Sequence, residues 1–447
     1  MKLLILVIAI ALFFISLCKN KLALYIFMAL YPILPEYFAI NLGGDLPLLT
    51  VSRVLILVLL FSTLIRKKKI KLSTEYFYKS KLLRYFIFYL ICETIVFLAH
   101  YSNSTVLKDY LGVLLERGVL FIVLLNNLEG KEEIIKSIKV LAITAGVVSL
   151  FGCFEPFTGI NFTYYLNIAD REGMLMRSYE RLNIIRATFS FGHPIALAVY
   201  LLVTIPFIIY FLDSEKRKSI YYISFFLSVI CLFLTISRGP ILIFIVILVL
   251  MLIKKNKKER IKYYCMIHVG LLISCIVVLI NVKSFSILGD IFLSVLNAIG
   301  FNFQVSDFGT NTDAVYSRTA QLSMLSQALS KYPWCGGGRG YIIQNIVYVY
   351  TATRSFRATS IDIEYLSLLI DKGIIGFLGS ALLYIRIIMC SFRSAFINTK
   401  DDLSKAFFWS FIGLYLSYFT VAELTTSSIA WVLYSLFIAY NSVNKSE

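Results

Sequence analysis

The chain has 447 residues, 59% of them apolar and 15% charged, with a mean hydropathy of +0.81, a balance that excludes an ordinary soluble domain. The formal charge of +17 could indicate a nucleic-acid partner, but many of the lysines and arginines fall in short connecting clusters: "RKKKIK" at 66–71, "EKRK" at 215–218, "KKNKKER" at 254–260 and the stretch 386–405. Basic loops of this kind stay cytoplasmic and face anionic lipid, so the charge reads as membrane topology and not as a nucleic-acid footprint.

Taken in chain order, apolar runs of near-spanning length predict helices over 3–17, 22–40, 48–65, 82–99, 111–125, 134–152, 188–212, 220–236, 240–253, 261–280, 363–389, 406–421 and 429–440. The first run, "LLILVIAIALFFISLC", has a signal-peptide-like core but no small-x-small cleavage site before the next run, and it reads as a retained helix. With the amino terminus outside, every strongly basic cluster lands on one side. The expected fold is all-α, a polytopic integral membrane bundle of about 12–13 transmembrane helices with a long extracytoplasmic loop containing amphipathic helices. The chain divides into amino-terminal membrane helices (1–152), a first outer loop (153–187), helices carrying an "SRG" turn (188–280), a large outer loop (281–361) and carboxy-terminal helices (362–447).

The 281–361 loop is far longer than the usual connection of about 4–6 residues, which marks it as functional. Within it, "NTDAVYSRTAQLSMLSQALSKYPWCGGGRGY" reads as a helix, capped by Asn311, Thr312 or Asp313 and stopped by Pro333 and the glycines after it. Leu322, Leu325, Leu329 and Tyr332 share a face at helical spacing, and Arg318 lies one turn before Leu322, so packing that face on the membrane domain would aim Arg318 inward. Cys153 and Cys335 fall in outward loops, where an oxidising compartment would let them pair, although the sequence favours unpaired thiols.

Four groups of residues could carry chemistry. In "TISRGPILIF", Gly239 and Pro240 break the helix and hold Arg238 at the outer rim, either on lipid phosphates or as a fork for a bound anion. Arg181 and Arg186 precede the span that opens "TFSFGHP", with His193 in its first turns. Asp362 and Glu364 begin the span near 363, where carboxylates also suit the positive pole of the helix, and Gly373, Gly376 and Gly379 would permit close helix packing. Glu116 and Arg117 lie mid-span, point about 100° apart and need separate partners, which reads as structural ion pairing. No zinc or nucleotide motif occurs, and His100, His193 and His268 are dispersed, so no metal or cofactor is expected.

The order of motifs carries more than any one of them. "RATFSFGHPIALAVYL", then "TISRGPILIF", then "SRTAQLSMLSQALSKYPWCGGGRGY" in a long loop, then "DIEYLSLLIDKGIIGFLGSALLY" resembles the O-antigen ligase and Wzy polymerase superfamily, bacterial membrane enzymes of surface-polysaccharide assembly, over about residues 181–384. The resemblance implies Arg238 and Arg318 as essential arginines, matches Arg186 to an arginine at the same place in the polymerases, and lets Arg181 to Gly192 fit the spacing of an arginine-to-glycine motif of polymerase outer loops. Arg339, in the glycine run, joins Arg181, Arg186 and His193 as a candidate substrate contact. The ligases carry a histidine before the closing helix, where this chain has Asp362, Ile363 and Glu364, so the comparison favours a polymerase that uses a carboxylate. The implied substrate is a polyprenyl-diphosphate-linked oligosaccharide at the outer face of the bacterial cytoplasmic membrane, with flippase and chain-length regulator proteins as partners. A ligase acting on another acceptor and, from a different class, a polysaccharide transporter are the alternatives; a transporter should show internal repeats, and none is found.

Overall fold

The computed structural model describes residues 2–43, 46–66, 80–128, 130–167, 179–181, 184–216, 218–253, 255–282, 293, 321–344, 347–350, 355–358, 361–398, 401–422 and 427–443. They form an all-α polytopic membrane protein. Among the described residues, helices at Lys81–Ala99, Lys131–Thr158, Pro194–Ser214 and Glu364–Ile397 are long and apolar enough to cross a bilayer alone, and shorter apolar helices pack with them.

The helices are α1 (Lys2–Cys18), α2 (Asn20–Leu30), α3 (Val51–Arg66), α4 (Lys81–Ala99), α5 (Ser104–Val113), α6 (Leu120–Asn127), α7 (Lys131–Thr158), α8 (Pro194–Ser214), α9 (Ser219–Leu234), α10 (Arg238–Leu252), α11 (Lys257–Val282), α12 (Ser323–Lys331), α13 (Tyr341–Gln344), α14 (Glu364–Phe392), α15 (Asp402–Ser417) and α16 (Ser427–Val443). A helix occupies each predicted span, with corrections at several ends. The run 22–40 is helical only to Leu30, because Pro32 and Pro35 cannot continue it; the chain instead forms a two-residue antiparallel ladder, β1 (Ala39–Ile40) with β2 (Leu49–Thr50). Helix α7 runs to Thr158 and ends at Gly159, whose φ of +72° suits a left-handed cap, so Cys153 is buried inside a helix and not in a loop. The described cysteines are all free thiols.

Ion pairs and amides gather at the basic end. Asn127 accepts from Asn20 at 2.8 Å and from Arg66 at 3.0 Å, Lys139 meets Glu215 at 2.8 Å, and Lys255 pairs with Asp213. Helix α8 runs through the centre, with 89% of its most apolar window buried, which is why its sequence is hydrophobic on every face.

The mid-span charges find separate partners. A π-helical turn, Leu114–Val119, joins α5 to α6 and turns Glu116 toward Arg53 at 2.7 Å, while Arg117 bonds the Tyr89 hydroxyl and lies 4.8 Å over the Trp431 ring. Four passes are thereby tied together, which is the structural reading of these charges.

Helix α14 is broken. Gly373 has φ +64° and ψ −165°, a conformation open only to glycine, so it interrupts the helix where the sequence had pointed to close helix packing. The segment Pro333–Gly338 enters the break. Gly337 and Gly338 donate to the carbonyls of Ile370 and Asp371, both at 2.9 Å, and the amides of Ile374 and Ile375 donate to Pro333 and Trp334 at 2.9 and 3.0 Å. All four backbone groups are thus satisfied by the loop, the condition for irregular backbone at a membrane. Beside the break, Lys372 donates to both Glu93 oxygens at 2.7 and 2.9 Å, pinning α14 to α4. Gly379 does serve close packing, since a Cβ there would meet Cys92 and Tyr89 of α4.

Above the break, the half-helix Glu364–Asp371 carries a small separate core of Leu366 and Ile370 with Met324, Ala328, Tyr341 and Val349. The hairpin β5 (Tyr348–Tyr350) with β6 (Ser355–Arg357) lies on the same core. Helix α12 buries Met324 and Ala328, and just before it Gln321 is buried while Leu322 is 55% exposed, so the predicted apolar face is one residue out. Its partner is a compact protein surface and not lipid, and small or flexible residues fit that contact better than a leucine stripe.

Candidate active site

The site is built from a buried acid outward. Glu155, near the end of α7 and 2% exposed, accepts the backbone N–H groups of Thr188 and Phe189 at 2.6 and 2.9 Å, the Thr188 hydroxyl at 2.7 Å and the Asn161 amide at 3.2 Å. Charge-assisted bonds of this kind are roughly twice as strong as neutral ones. They hold Phe189 at φ +43° and turn the chain through a short 3-10 turn, Phe189–Phe191, before α8. Helix α8 accordingly starts at Pro194 and not near 188.

This anchored segment delivers Arg186 to the SRG turn. The Arg186 Nε donates to the Thr235 carbonyl at 2.6 Å and its guanidinium to the Ser237 hydroxyl at 3.0 Å, while the Ala187 N–H bonds Leu234 at 3.2 Å. Between Thr235 and Ser237, Ile236 has φ +49°, a left-handed conformation that costs a β-branched residue on the order of 1–2 kcal/mol. Arg186 satisfies the polar groups on both sides of that strained residue. Arg238 follows as the first residue of α10, part-exposed, with Ser237 before it as the cap position.

A second turn completes the cluster. A Cβ on Gly239 would lie 2.9 Å from the Thr420 hydroxyl, so glycine allows the end of α15 to approach the SRG turn closely. Two residues earlier on that turn, the Tyr418 carbonyl accepts the Glu364 N–H at 3.0 Å, and the Tyr365 hydroxyl donates to Tyr415 at 2.9 Å. Glu364 is 2% exposed, and Asp362 is part-exposed just before the helix. Arg186, Arg238, Asp362 and Glu364 are thereby gathered about the Thr235–Gly239 and Tyr418–Thr420 turns. The contacts between these turns bring the chain segments that carry two arginines and two carboxylates to one end of the bundle.

The other candidates are placed as follows. His193 is the cap of α8: its Nδ1 accepts the Ile195 N–H at 3.1 Å and its ring packs edge-on to Tyr179 at 4.7 Å. Burial first, and the Arg186 charge second, push its pKa down to about 4, so it is neutral near pH 7. Arg181 lies in β3 (Glu180–Arg181), whose ladder partner is β4 (Ile184–Ile185). Arg339 pairs with Asp109 of α5, at the far end of the half-helix from Glu364 and beside the bond from His100 to the Gly336 carbonyl at 2.9 Å. Arg318 lies outside the described residues; the chain resumes at Gln321, whose side-chain oxygen accepts the Asp362 N–H at 3.0 Å. Among the described residues no three His, Cys, Asp or Glu side chains come close enough to hold a metal ion. Glu155 and Thr420 were not foreseen. A lone acid beside Pro156 in "FGCFEPFTG" was a readable signal for the first, whereas Thr420 gave none.

Residues 223–381, from α9 through the SRG turn and the long loop into α14, match the family model described as O-antigen ligase. Over these residues the chain is similar to the O-antigen ligase and Wzy polymerase superfamily. Its apolar helices make it a multi-pass membrane protein, and the matched region is that of a family of membrane glycan-transferring proteins. No curated protein matches the chain in a sequence comparison. The superfamily match takes in Arg238, Arg318, Arg339, Asp362 and Glu364, while Arg181, Arg186, His193 and Glu155 lie before it.

Proposed function

We propose that the protein is a polymerase that joins polyprenyl-diphosphate-linked oligosaccharide repeat units into a surface polysaccharide, O-antigen or capsule, at the outer face of the bacterial cytoplasmic membrane. The observation that carries this reading is the clamp of Arg186 on the strained Thr235–Ser237 turn, which presents Arg238 beside the turn that holds Glu364.

In this reading an acceptor hydroxyl attacks the anomeric carbon of the donor, and the bond from that carbon to the diphosphate oxygen breaks. The electron pair leaves with the polyprenyl diphosphate, and Arg238 and Arg186 stabilise the charge it gathers without a metal. Asp362, the more exposed carboxylate, takes the hydroxyl proton, and Glu364 holds the local field. Attack opposite the leaving group inverts the anomeric centre. Arg318 completes the cation set as the family resemblance implies, and flippase and chain-length regulator proteins would act with the enzyme.

The test places purified protein in liposomes with a lipid-linked repeat unit, alongside Arg238→Ala and Arg186→Ala. A ladder of multiples with inverted linkages is expected from the parent protein, with a loss on the order of 100-fold in each variant. Retained anomeric configuration would overturn the displacement. The description of the matched family favours a second reading, single transfer to another acceptor, which would give one product and no ladder. Movement of intact substrate across the bilayer would replace both with a transporter.

A further inference from the structure

We infer that residues 333–339 form a strut that sets the position of the Asp362–Glu364 carboxylates relative to the SRG turn, a positioning role that rests on the transferase reading above. The half-helix Glu364–Asp371 is disconnected from the spanning part of α14 by Gly373 and is held at two ends. At its start the Glu364 N–H is fixed to the Tyr418 carbonyl, next to the SRG turn. At its end the carbonyls of Ile370 and Asp371 are fixed by Gly337 and Gly338. Eight residues of helix span only about 10.5 Å between first and last Cα, so a shift at one end is carried rigidly to the other.

The strut is in turn held from three sides. His100 bonds the Gly336 carbonyl at 2.9 Å, Arg339 pairs with Asp109, and Lys372 at the break bonds Glu93 twice. Helices α4 and α5 are therefore the reference frame for the carboxylates, although neither contributes to the arginine cluster. Arg339 pairs with Asp109 and Lys372 with Glu93, and the Asp371 carboxyl lies near both cations and accepts the Ser367 hydroxyl, so carboxylates answer the cations here, as suits a rigid mount.

Two glycines separate this role from simple backbone strain. Gly336 and Gly340 both have left-handed φ, +67° and +81°, so alanine strains the backbone at either. At Gly336 the added Cβ would lie 2.5 Å from backbone atoms of Asp371, Lys372 and Gly373 and push the strut out of the break, whereas at Gly340 its nearest neighbour is the Thr105 methyl at 3.8 Å. In proteoliposomes, Gly336→Ala is expected to lower turnover on the order of 100-fold while binding of radiolabelled polyprenyl diphosphate stays within about two-fold, and Gly340→Ala to keep near-parental turnover. Should Gly336→Ala fail to fold, His100→Ala removes one tether without adding an atom and is expected to lower turnover at retained binding. Equal turnover in Gly336→Ala and the parent, parallel loss of binding and turnover, or equal damage from Gly340→Ala would each overturn the strut. An inactive parent protein would instead sink the transferase reading, and the strut with it.

Discussion

His193 accepts the Ile195 N–H through Nδ1, and its ring is buried against Tyr179. Below about pH 6.5 the unfolded chain takes up a proton that the folded chain refuses until about pH 4. Stability is therefore lost as pH falls through that window, by on the order of 2 kcal/mol at its lower edge. His193→Asn keeps a cap-forming side chain and removes the titration, so the thermal midpoint of the variant in detergent should fall less between pH 6.5 and 4 than that of the parent. Parallel curves would show that other groups govern the acid limit. At this scale the sequence was most readable where backbone chemistry forced a result: Gly239–Pro240 placed Arg238 at a helix start, and Asp362 and Glu364 at a helix start were equally plain. Thr420 was invisible, because its contact with Gly239 joins segments about 180 residues apart.

At the scale of elements, the segment 187–193 owes its shape to one acid on another helix. Glu155→Gln keeps the volume but offers one accepting oxygen where four donors converge on two, and a loss of about 2–3 kcal/mol of stability is expected, measured by thermal unfolding in detergent. Because Glu155 acts on the SRG turn through the anchored segment that carries Arg186 and Ala187, transfer should decline along with stability; an unchanged melting midpoint would remove Glu155 from the scaffold. Periodicity located the helices and erred at their ends. It extended 22–40 across Pro32 and Pro35, where the proline signal should have prevailed, and it ran 363–389 through Gly373. A glycine that breaks a helix and one that packs it look alike in sequence, and only the arrival of Pro333–Gly338 distinguishes Gly373 from Gly379. The face of α12 was missed by one residue because its partner, the half-helix, is assembled from residues about 40 positions away.

For the whole molecule, the alternation of passes places Cys18 at the basic end and Tyr101, 73% exposed, at the opposite one. A membrane-impermeant maleimide added to intact cells should label Tyr101→Cys and spare Cys18, and the reverse pattern would invert the topology along with the proposed active-site face. The broken helix bears on how the chain is made. Residues 333–338 precede α14 in synthesis, and among the described residues they cover the amides and carbonyls around Gly373. Until they arrive, a newly formed α14 carries four unpaired backbone groups at its break, each costing several kcal/mol where water is excluded. Docking of residues 333–338 and completion of that last-but-two pass are therefore a single assembly event, and a nascent chain whose loop is delayed would carry a flawed helix.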